Sequence, residues 1–171
     1  MKLLKGIAIG GIVILVGRFI YNLKRAENKA AVQVGGRVHK LTTQGVELFI
    51  DYNIKNPSES VMEMAIPLIT LKYKGALLAS SSMTPMILPS GVSVNNAGRI
   101  PIGAHSETGV ITTKVLIPYL SMVGLGVDLV KLIGDRIKGG DTEIKLNSEV
   151  NTSIYAGPLT IPYDDVQTLT I

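Results

Sequence analysis

The chain has 171 residues, of which 46% are hydrophobic and 18% are charged, and its formal net charge is +4. This length suits one globular domain with a short accessory segment, and the apolar content excludes intrinsic disorder. Because the sequence has no Cys, it offers no disulfide, thiolate metal ligand or Cys nucleophile, and the core alone must stabilise the fold.

The charge is unevenly distributed along the chain. Residues 1–40 carry eight Lys and Arg against one acid, a net charge of +7, whereas residues 41–171 carry nine against twelve, a net charge of −3. Nucleic-acid binding usually needs a basic face with interleaved aromatic side chains. The acidic second part, which has no Trp, therefore argues against nucleic acid as a partner.

A short apolar run lies near the start of the chain. Twelve uncharged residues, 6–17, lie between Lys5 and Arg18, and a spanning helix needs about 20. If the Arg18 guanidinium reaches the headgroups, the segment extends through Leu23 to about 30 Å. We therefore expect a single-pass anchor helix over residues 6–23, after a basic tail at 1–5. The anchor residues are Lys5, Gly6, Gly10, Gly17, Arg18, Phe19, Tyr21, Lys24 and Arg25.

A cleaved signal peptide and a buried soluble helix are the competing interpretations of this run. Basic residues follow it directly and no A-x-A site precedes them, which favours an uncleaved anchor. Gly6 and Gly10 would permit close helix packing, although glycine is common in membrane helices. Two Lys precede the run and five Lys or Arg follow it as far as Arg37. By a narrow margin, this bias favours the cytoplasmic or interior side for the C-terminal domain.

The segment after the anchor is rich in good helix formers and ends at Gly35-Gly36. This composition predicts a helical stalk over residues 24–36, with the two glycines as the boundary of a folded domain over residues 37–171.

From Val46 the pattern changes to strict alternation, which is typical of a half-buried strand, and Asn56-Pro57 ends it. Pro67 confines part of the next extended region to a sheet edge or bulge, and Lys74-Gly75 predicts a tight hairpin. Residues 80–96 read as a loop with one short strand. The predicted strands are 46–55, 61–73, 76–79, 86–88, 99–104, 109–117, 142–154 and 159–171.

One amphipathic helix is expected from Tyr119 to Lys138, ended by Gly139-Gly140. Its apolar side is predicted to hold Val123, Val127, Val130, Ile133 and Ile137. About seven short strands with this inserted helix predict a mainly β fold, an antiparallel β-sandwich.

Few residues have the spacing that a catalytic, metal-binding or cofactor-binding site requires. His39 and His105 lack a second ligand at metal-binding spacing. His105 and Ser106 are adjacent, so in a strand they would point to opposite faces, and no G-x-S-x-G elbow is present. Gly124-Leu125-Gly126 lacks the third glycine of a dinucleotide fingerprint. We therefore expect a non-enzymatic protein without a metal, a cofactor or a small-molecule substrate.

The order of these motifs resembles the late embryogenesis abundant type 2 family, also called the water stress and hypersensitive response (WHy) domain. The similarity covers roughly residues 34–164. It rests on the helix before Gly139-Gly140 and on four segments, which are 50–57, 71–79, 100–104 and 159–162. It implies a fibronectin-III-like or immunoglobulin-like sandwich without catalytic residues, associated with protection of proteins or membranes during water stress. Its motif residues, all structural, are Asn56, Pro57, Tyr73, Gly75 and Pro101.

Together these features predict a membrane-anchored β-sandwich that is a structural or interaction component of a membrane-associated assembly, such as a lipid-containing virion or an envelope complex. The alternative is a stress-protective protein of a bacterial envelope. The expected partners are the lipid bilayer and other protein subunits. The subunits would bind through helix 6–23, the loop at 80–96 or the tail at 166–171, and the last two look like additions to the family pattern.

Overall fold

The computed structural model describes residues 32–81, 86–124, 127–141 and 143–171. The predicted basic tail, the anchor helix and residues 24–31 of the stalk lie outside this part of the chain. Within it, no helix has both the length and the apolar character needed to cross a bilayer.

Two antiparallel sheets and two helices make up these residues. The elements are β1 (Val32–Leu41), β2 (Gly45–Asn56), β3 (Met62–Ala65), β4 (Leu68–Tyr73), β5 (Ala76–Ser80), β6 (Met86–Ile87), β7 (Arg99–Ile102), β8 (Ser106–Glu107), β9 (Ile111–Pro118), α1 (Tyr119–Val123), α2 (Val127–Ile137), β10 (Lys145–Ala156) and β11 (Leu159–Thr170). The predicted mainly β, antiparallel architecture is confirmed.

The first sheet has the strand order β1-β2-β9-β6, and β8 pairs with the end of β2. In the second sheet, β10 pairs with β11 on one side and with β3 and β4 on the other. β7 and β5 extend that sheet beyond β3 and β4 respectively. The inner faces of the two sheets enclose one core of buried apolar side chains.

The alternation along β2 sets its inner and outer faces. Val46, Leu48, Ile50, Tyr52 and Ile54 are all buried. The residues between them point to the opposite side, because successive side chains of a strand alternate. The predicted strand is therefore confirmed and provides one wall of the core.

Residues 32–36, predicted to end the helical stalk, instead lie in β1. The β1–β2 ladder runs from the Val32↔Ile54 pair to the Leu41↔Val46 pair. A Cβ at Gly36 would lie 2.7 Å from Cδ2 of Leu169, whereas a Cβ at Gly35 would meet nothing within 4 Å. Gly36 therefore permits a close approach of β1 to β11, and the interpretation of Gly35-Gly36 as a boundary is wrong.

The single helix predicted over residues 119–138 is two helices, α1 and α2. The interruption coincides with Gly124, and glycine costs about 1 kcal/mol relative to Ala inside a helix. The expected apolar side is partly wrong, because Val123 is 69% exposed, whereas Met122 and Leu129 are buried. Ile133 is buried as predicted. The side chains of Val127, Val130 and Ile137 lie outside the described part.

The extended region at 61–73 is divided between β3 and β4, and Ile66 and Pro67 lie between them. Both strands pair with β10. Pro67 has no amide hydrogen for the ladder, which explains the interruption.

Two tight hairpins occur where the sequence predicts turns. Lys74 and Gly75 have φ angles of 50° and 83°, which suit the type I′ turn between β4 and β5. β10 and β11 pair continuously from Lys145↔Thr170 to Ala156↔Leu159, around Gly157-Pro158.

The tail at 166–171 is part of the fold. Its residues continue β11, and Leu169 and Ile171 are buried. The backbone amides and carbonyls of Ile171 and Ile144 exchange two hydrogen bonds, at 3.0 and 3.2 Å. Only outward side chains of this segment, such as Val166, are therefore open to a partner.

Candidate interaction surfaces

The side chain of Asn56 ties two loops together at the end of β2. Its Nδ2 donates to the carbonyls of Ser60 at 2.9 Å, Ile102 at 3.2 Å and Gly103 at 2.8 Å. Its Oδ1 accepts from the backbone amide of Ser58 at 3.0 Å and from the Ser58 hydroxyl at 2.6 Å. A buried amide is costly unless it is hydrogen-bonded, so these contacts close this end of the sandwich. We call residues 56–60 the Asn56 corner.

The other residues of the family motif are dispersed. Pro57 follows Asn56, and Gly75 occupies the β4–β5 turn. Tyr73 packs half-buried against the core. Pro101 is exposed in β7, opposite Glu63 of β3. Since Pro101 directly precedes Ile102, whose carbonyl accepts from Asn56, the structure places these five residues in two parts of the fold.

His105 lies exposed in the turn that leads into β8, and Ser106 lies exposed at the start of β8. They line an open depression of about 570 Å³ together with Pro57 and Glu107. The Glu107 carboxylate accepts from Nδ2 of Asn53 at 3.0 Å and lies 3.8 Å from the Lys55 ammonium. His105 has a φ of 49°, and its backbone amide donates to the Ser58 carbonyl at 3.0 Å. This turn thus packs against the Asn56 corner.

The outer face of the first sheet is organised around Phe49. The His39 ring stacks on it with a centroid distance of 4.0 Å, and the Arg37 guanidinium lies 5.1 Å from its centroid. Arg37 also forms an ion pair with Asp51, and Oδ1 of Asp51 accepts from the Thr112 hydroxyl at 2.5 Å. His39 lies at the irregularity in the β1–β2 register between Val38 and Lys40, which turns its side chain onto the outer face.

Other charges on the two outer faces are also paired. The Glu47 carboxylate lies 3.6 Å from the Lys40 ammonium and 3.7 Å from that of Lys114. On the second sheet, the Arg99 guanidinium lies 3.5 Å from the Tyr155 ring centroid and 3.2 Å from Glu63. Exposed pairs of this kind contribute at most about 1 kcal/mol each, so they shape the surface more than they stabilise it.

Two tyrosines have raised pKa values. Burial raises the pKa of Tyr52 to about 12, and a hydrogen bond with Thr113 partly opposes this shift. The Tyr52 hydroxyl donates to Sδ of Met86 at 3.1 Å. Burial, with the nearby Asp165 carboxylate, likewise raises the pKa of Tyr163 to about 12. Both phenols are therefore neutral near pH 7.

The described residues of the 80–96 loop are attached to the core. Leu88, Val92 and Val94 are partly buried against it. The Ser81 hydroxyl accepts from the Ile69 amide at 2.8 Å, and the Ser81 amide donates to the Ile69 carbonyl at 2.8 Å. Ile87 in β6 is 57% exposed. The expectation that this loop contacts a partner is thus limited to its outward side chains.

Exposed apolar side chains lie around α1. Leu120 is 87% exposed, Val123 is 69% exposed and Leu41 at the end of β1 is 51% exposed. The Tyr119 hydroxyl donates to the Thr42 carbonyl at 3.1 Å, which fixes α1 beside the β1–β2 turn. We call Leu41, Tyr119, Leu120 and Val123 the α1 end surface.

A basic cleft of about 420 Å³ adjoins this surface. Arg37, His39 and Lys40 of β1 line one side, and Arg136 of α2 contributes from another element. Leu41 lines the cleft as well and therefore links it to the α1 end surface. No carboxylate side chain is among the described residues that line it, which include Ile171, the last residue of the sequence.

The chain enters the described domain at the end opposite α1. Val32 pairs with Ile54, two residues before Asn56, whereas Leu41 pairs with Val46 beside the β1–β2 turn. Ten residues of strand cover about 30 Å at 3.3 Å per residue. The α1 end surface is therefore remote from the point at which the N-terminal segment joins the sandwich.

Neither of these features was recognised from the sequence. The period-3.6 pattern placed Val123 on the buried side, because it was continued across Gly124. The cleft combines side chains from β1 and α2 that lie far apart in the chain. The only available signals were the exposed i, i+3 pair Leu120 and Val123 and the basic spacing at Arg37 and Lys40.

No known protein family's sequence profile matches the chain, and no curated protein matches it. The chain is similar to a protein from Archaeoglobus fulgidus with a known crystal structure, at 10% identity and a TM-score of 0.49, over 82% of this chain and 94% of that one. It is also similar to a protein from Arabidopsis thaliana with a known solution structure, at 16% identity and a TM-score of 0.44, over 82% of this chain and 76% of that one. Since both TM-scores are below 0.5, neither likeness carries an argument about function.

Proposed function

We propose that this protein is a non-enzymatic β-sandwich, tethered to a membrane through residues 6–23, that acts as an interaction component of a membrane-associated assembly. The tether is proposed from the apolar run at 6–17 and the net charge of +7 in residues 1–40. The Lys/Arg bias favours a domain on the cytoplasmic side of a cell membrane or the interior side of a virion membrane.

One structural observation carries the interaction role. The α1 end surface exposes three apolar side chains at the end of the sandwich remote from Val32. Contiguous exposed apolar residues often mark a contact site, because burying them gains about 25 cal/mol per Å². A tether at one end and a contact surface at the other suit a module that holds a partner near a membrane.

We also propose that the domain is a divergent late embryogenesis abundant type 2 domain. The antiparallel sandwich and the Asn-Pro sequence at the end of β2 support this assignment. A protective role during drying then remains the alternative function. It would be tested by drying a labile enzyme with the purified chain, and recovery no better than with an unrelated protein of equal mass would reject it.

The interaction role is tested by the double variant L120S/V123S in the full-length chain. We expect it to remain in the membrane fraction but to lose co-purification with its assembly. The control is V166S, which alters a similarly exposed apolar residue on the second sheet. If the wild-type chain is found in the aqueous fraction, the tether is wrong. If L120S/V123S assembles like the wild type, the contact surface is wrong.

A further inference from the structure

β11 is a long strand that is paired on one side only. Its twelve residues pair in continuous register with β10. β10 uses its other side for β3 and β4, and no described strand pairs with the outer edge of β11. β1 approaches Leu169 at Gly36, but among the described residues no backbone hydrogen bond joins β1 to β11. An unpaired edge of this length is a template on which a further strand can be added.

The pairing with β10 shows which backbone groups of β11 point to the outer edge. Ile171 and Ile144 exchange two backbone hydrogen bonds, and in an antiparallel ladder such pairs alternate with pairs that exchange none. The odd-numbered residues of β11 therefore bond to β10, and the even-numbered residues direct their N–H and C=O groups away from it. Pro162 is even-numbered, so its missing amide hydrogen costs no bond to β10. From 164 to 170, four successive even-numbered residues each offer a donor and an acceptor.

Other edges of the two sheets are interrupted within the described residues. β1 has a register irregularity between Val38 and Lys40, and the pairing of β5 with β4 is irregular as well. β7 is four residues long and contains Pro101, and β6 and β8 have two residues each. Bulges, prolines and short strands discourage pairing between edges. The stretch at 164–170 has none of these features.

We propose that two copies of the chain pair through β11, antiparallel about a two-fold axis at Val166, and join their second sheets into one. The occupant is a second copy because the strand is complementary to itself in this register. Val166 lies opposite Val166, Asp164 opposite Thr168 and Asp165 opposite Gln167 of the second copy. Each carboxylate thus meets a hydroxyl or an amide, and the central pair is apolar.

Neighbouring positions of the axis fit less well. An axis at 164 or 165 would place two Asp side chains directly opposite each other, which is destabilising. An axis at 167 would place Asp165 opposite the buried Leu169, without a polar group to meet the carboxylate. The charges of β11 therefore select residue 166 as the centre.

This pairing goes beyond the proposed function and does not depend on the tether. α1 contacts β5 and β9, and β5 lies across the second sheet from β11. Two copies joined at β11 would therefore keep both α1 helices free for other subunits.

Spin-label distances test the pairing and its register. Because the chain has no Cys, one introduced thiol can be labelled cleanly. In the full chain in detergent, we expect labels at T170C to be about 27 Å apart and labels at T160C about 41 Å apart, given about 3.4 Å per residue on either side of the axis. Moving the axis by one residue changes both distances by about 7 Å in opposite directions. A chain that sediments as a monomer overturns the proposal, and so does a T170C distance equal to or longer than the T160C distance.

Proline variants test the backbone groups. V166P removes an outward N–H that β10 does not use, so we expect the fold to persist and the dimer dissociation constant to rise about 100-fold. V166S keeps that N–H, and its constant should stay within about fivefold of the wild type. T160P places a proline at an even-numbered residue outside the paired stretch and should dimerise like the wild type.

Sedimentation in detergent measures the three constants, and thermal unfolding reports whether each variant folds. Wild-type dimerisation in V166P, equal losses in V166P and V166S, or equal losses in V166P and T160P would each overturn pairing through this edge. The label distances stand independently, because they are measured with the backbone donors intact and decide the question even if V166P unfolds.

Discussion

The two ends of the sandwich differ in whether their characteristic side chains are buried and hydrogen-bonded or exposed to solvent. At the Asn56 corner, one buried amide group has five hydrogen-bond contacts, three with Ser58 and Ser60 and two with the carbonyls of Ile102 and Gly103 at the end of β7. At the α1 end, apolar side chains are exposed to solvent beside a cleft lined by Arg37, Lys40 and Arg136. The first arrangement lowers the free energy of the folded domain. The second contributes little to folding.

The largest difference in stability is expected when two leucines of the helical region are truncated in turn. Leu129 of α2 is fully buried, whereas Leu120 of α1 is 87% exposed. We expect L129A to lower the free energy of unfolding by about 3 kcal/mol through cavity formation. L120A should change it by less than about 0.5 kcal/mol. Urea unfolding of the full chain in detergent measures both, and similar losses would show that α1 is part of the core.

The Asn56 corner is expected to show the next largest effect. N56A removes the amide and leaves buried carbonyls without their donor, so we expect a loss of about 2–3 kcal/mol. N53A is the matched control, since Asn53 donates to Glu107 from the half-buried outer face. Its loss should be less than about 1 kcal/mol. Equal losses in the two variants would refute a special role for the corner.

Substitutions at the neighbouring glycines of β1 are expected to change stability by a smaller amount and in opposite directions. G36A would push a methyl group into Leu169, and overpacking of this kind costs about 1–3 kcal/mol. G35A meets open space and removes a flexible residue from a strand, which should stabilise the domain by about 0.5 kcal/mol. Thermal unfolding of the two variants should move in opposite directions. A matching shift would contradict the close approach of β1 and β11.

The pH dependence of stability tests the burial of Tyr52. Its pKa of about 12 in the folded state exceeds the ordinary value of 10.0, so the folded state holds the phenol proton more tightly. The contribution is fully present below pH 10 and is lost as the pH rises towards 12. The slope reaches about 1.4 kcal/mol per pH unit. Unfolding free energies between these limits should fall less steeply in Y52F, and an unchanged slope would show that Tyr52 titrates normally.

Patterns that depend on neighbours in the chain were predicted well. The alternation of β2 follows from period-two burial, and the Lys74-Gly75 turn follows from the positive φ that glycine tolerates. Contacts between segments that lie far apart in the chain were not predicted. Gly35-Gly36 resembles a helix stop in the sequence, and only the position of Leu169 gives Gly36 its role. The tail lies in the last predicted strand, 159–171, but its pairing with β10, which makes it part of the sheet, cannot be read from local composition.

The candidate site was harder to predict for the same reason. Val123 was assigned to the core because the helical period was continued across Gly124, where the structure changes from α1 to α2. The cleft requires Arg136 to approach β1, which no local pattern encodes. The paired charges around Phe49 also arise from strand register rather than from spacing along one segment.

The central claim is that the protein contacts its partners through the α1 end and not through the Asn56 corner. It is tested most directly by amide hydrogen exchange of the full chain, compared between detergent and its native membrane. We predict slower exchange in the membrane at residues 119–123 and in the β1–β2 turn, with unchanged exchange at residues 58–60. Slower exchange at 58–60 with no change at 119–123 would contradict the claim.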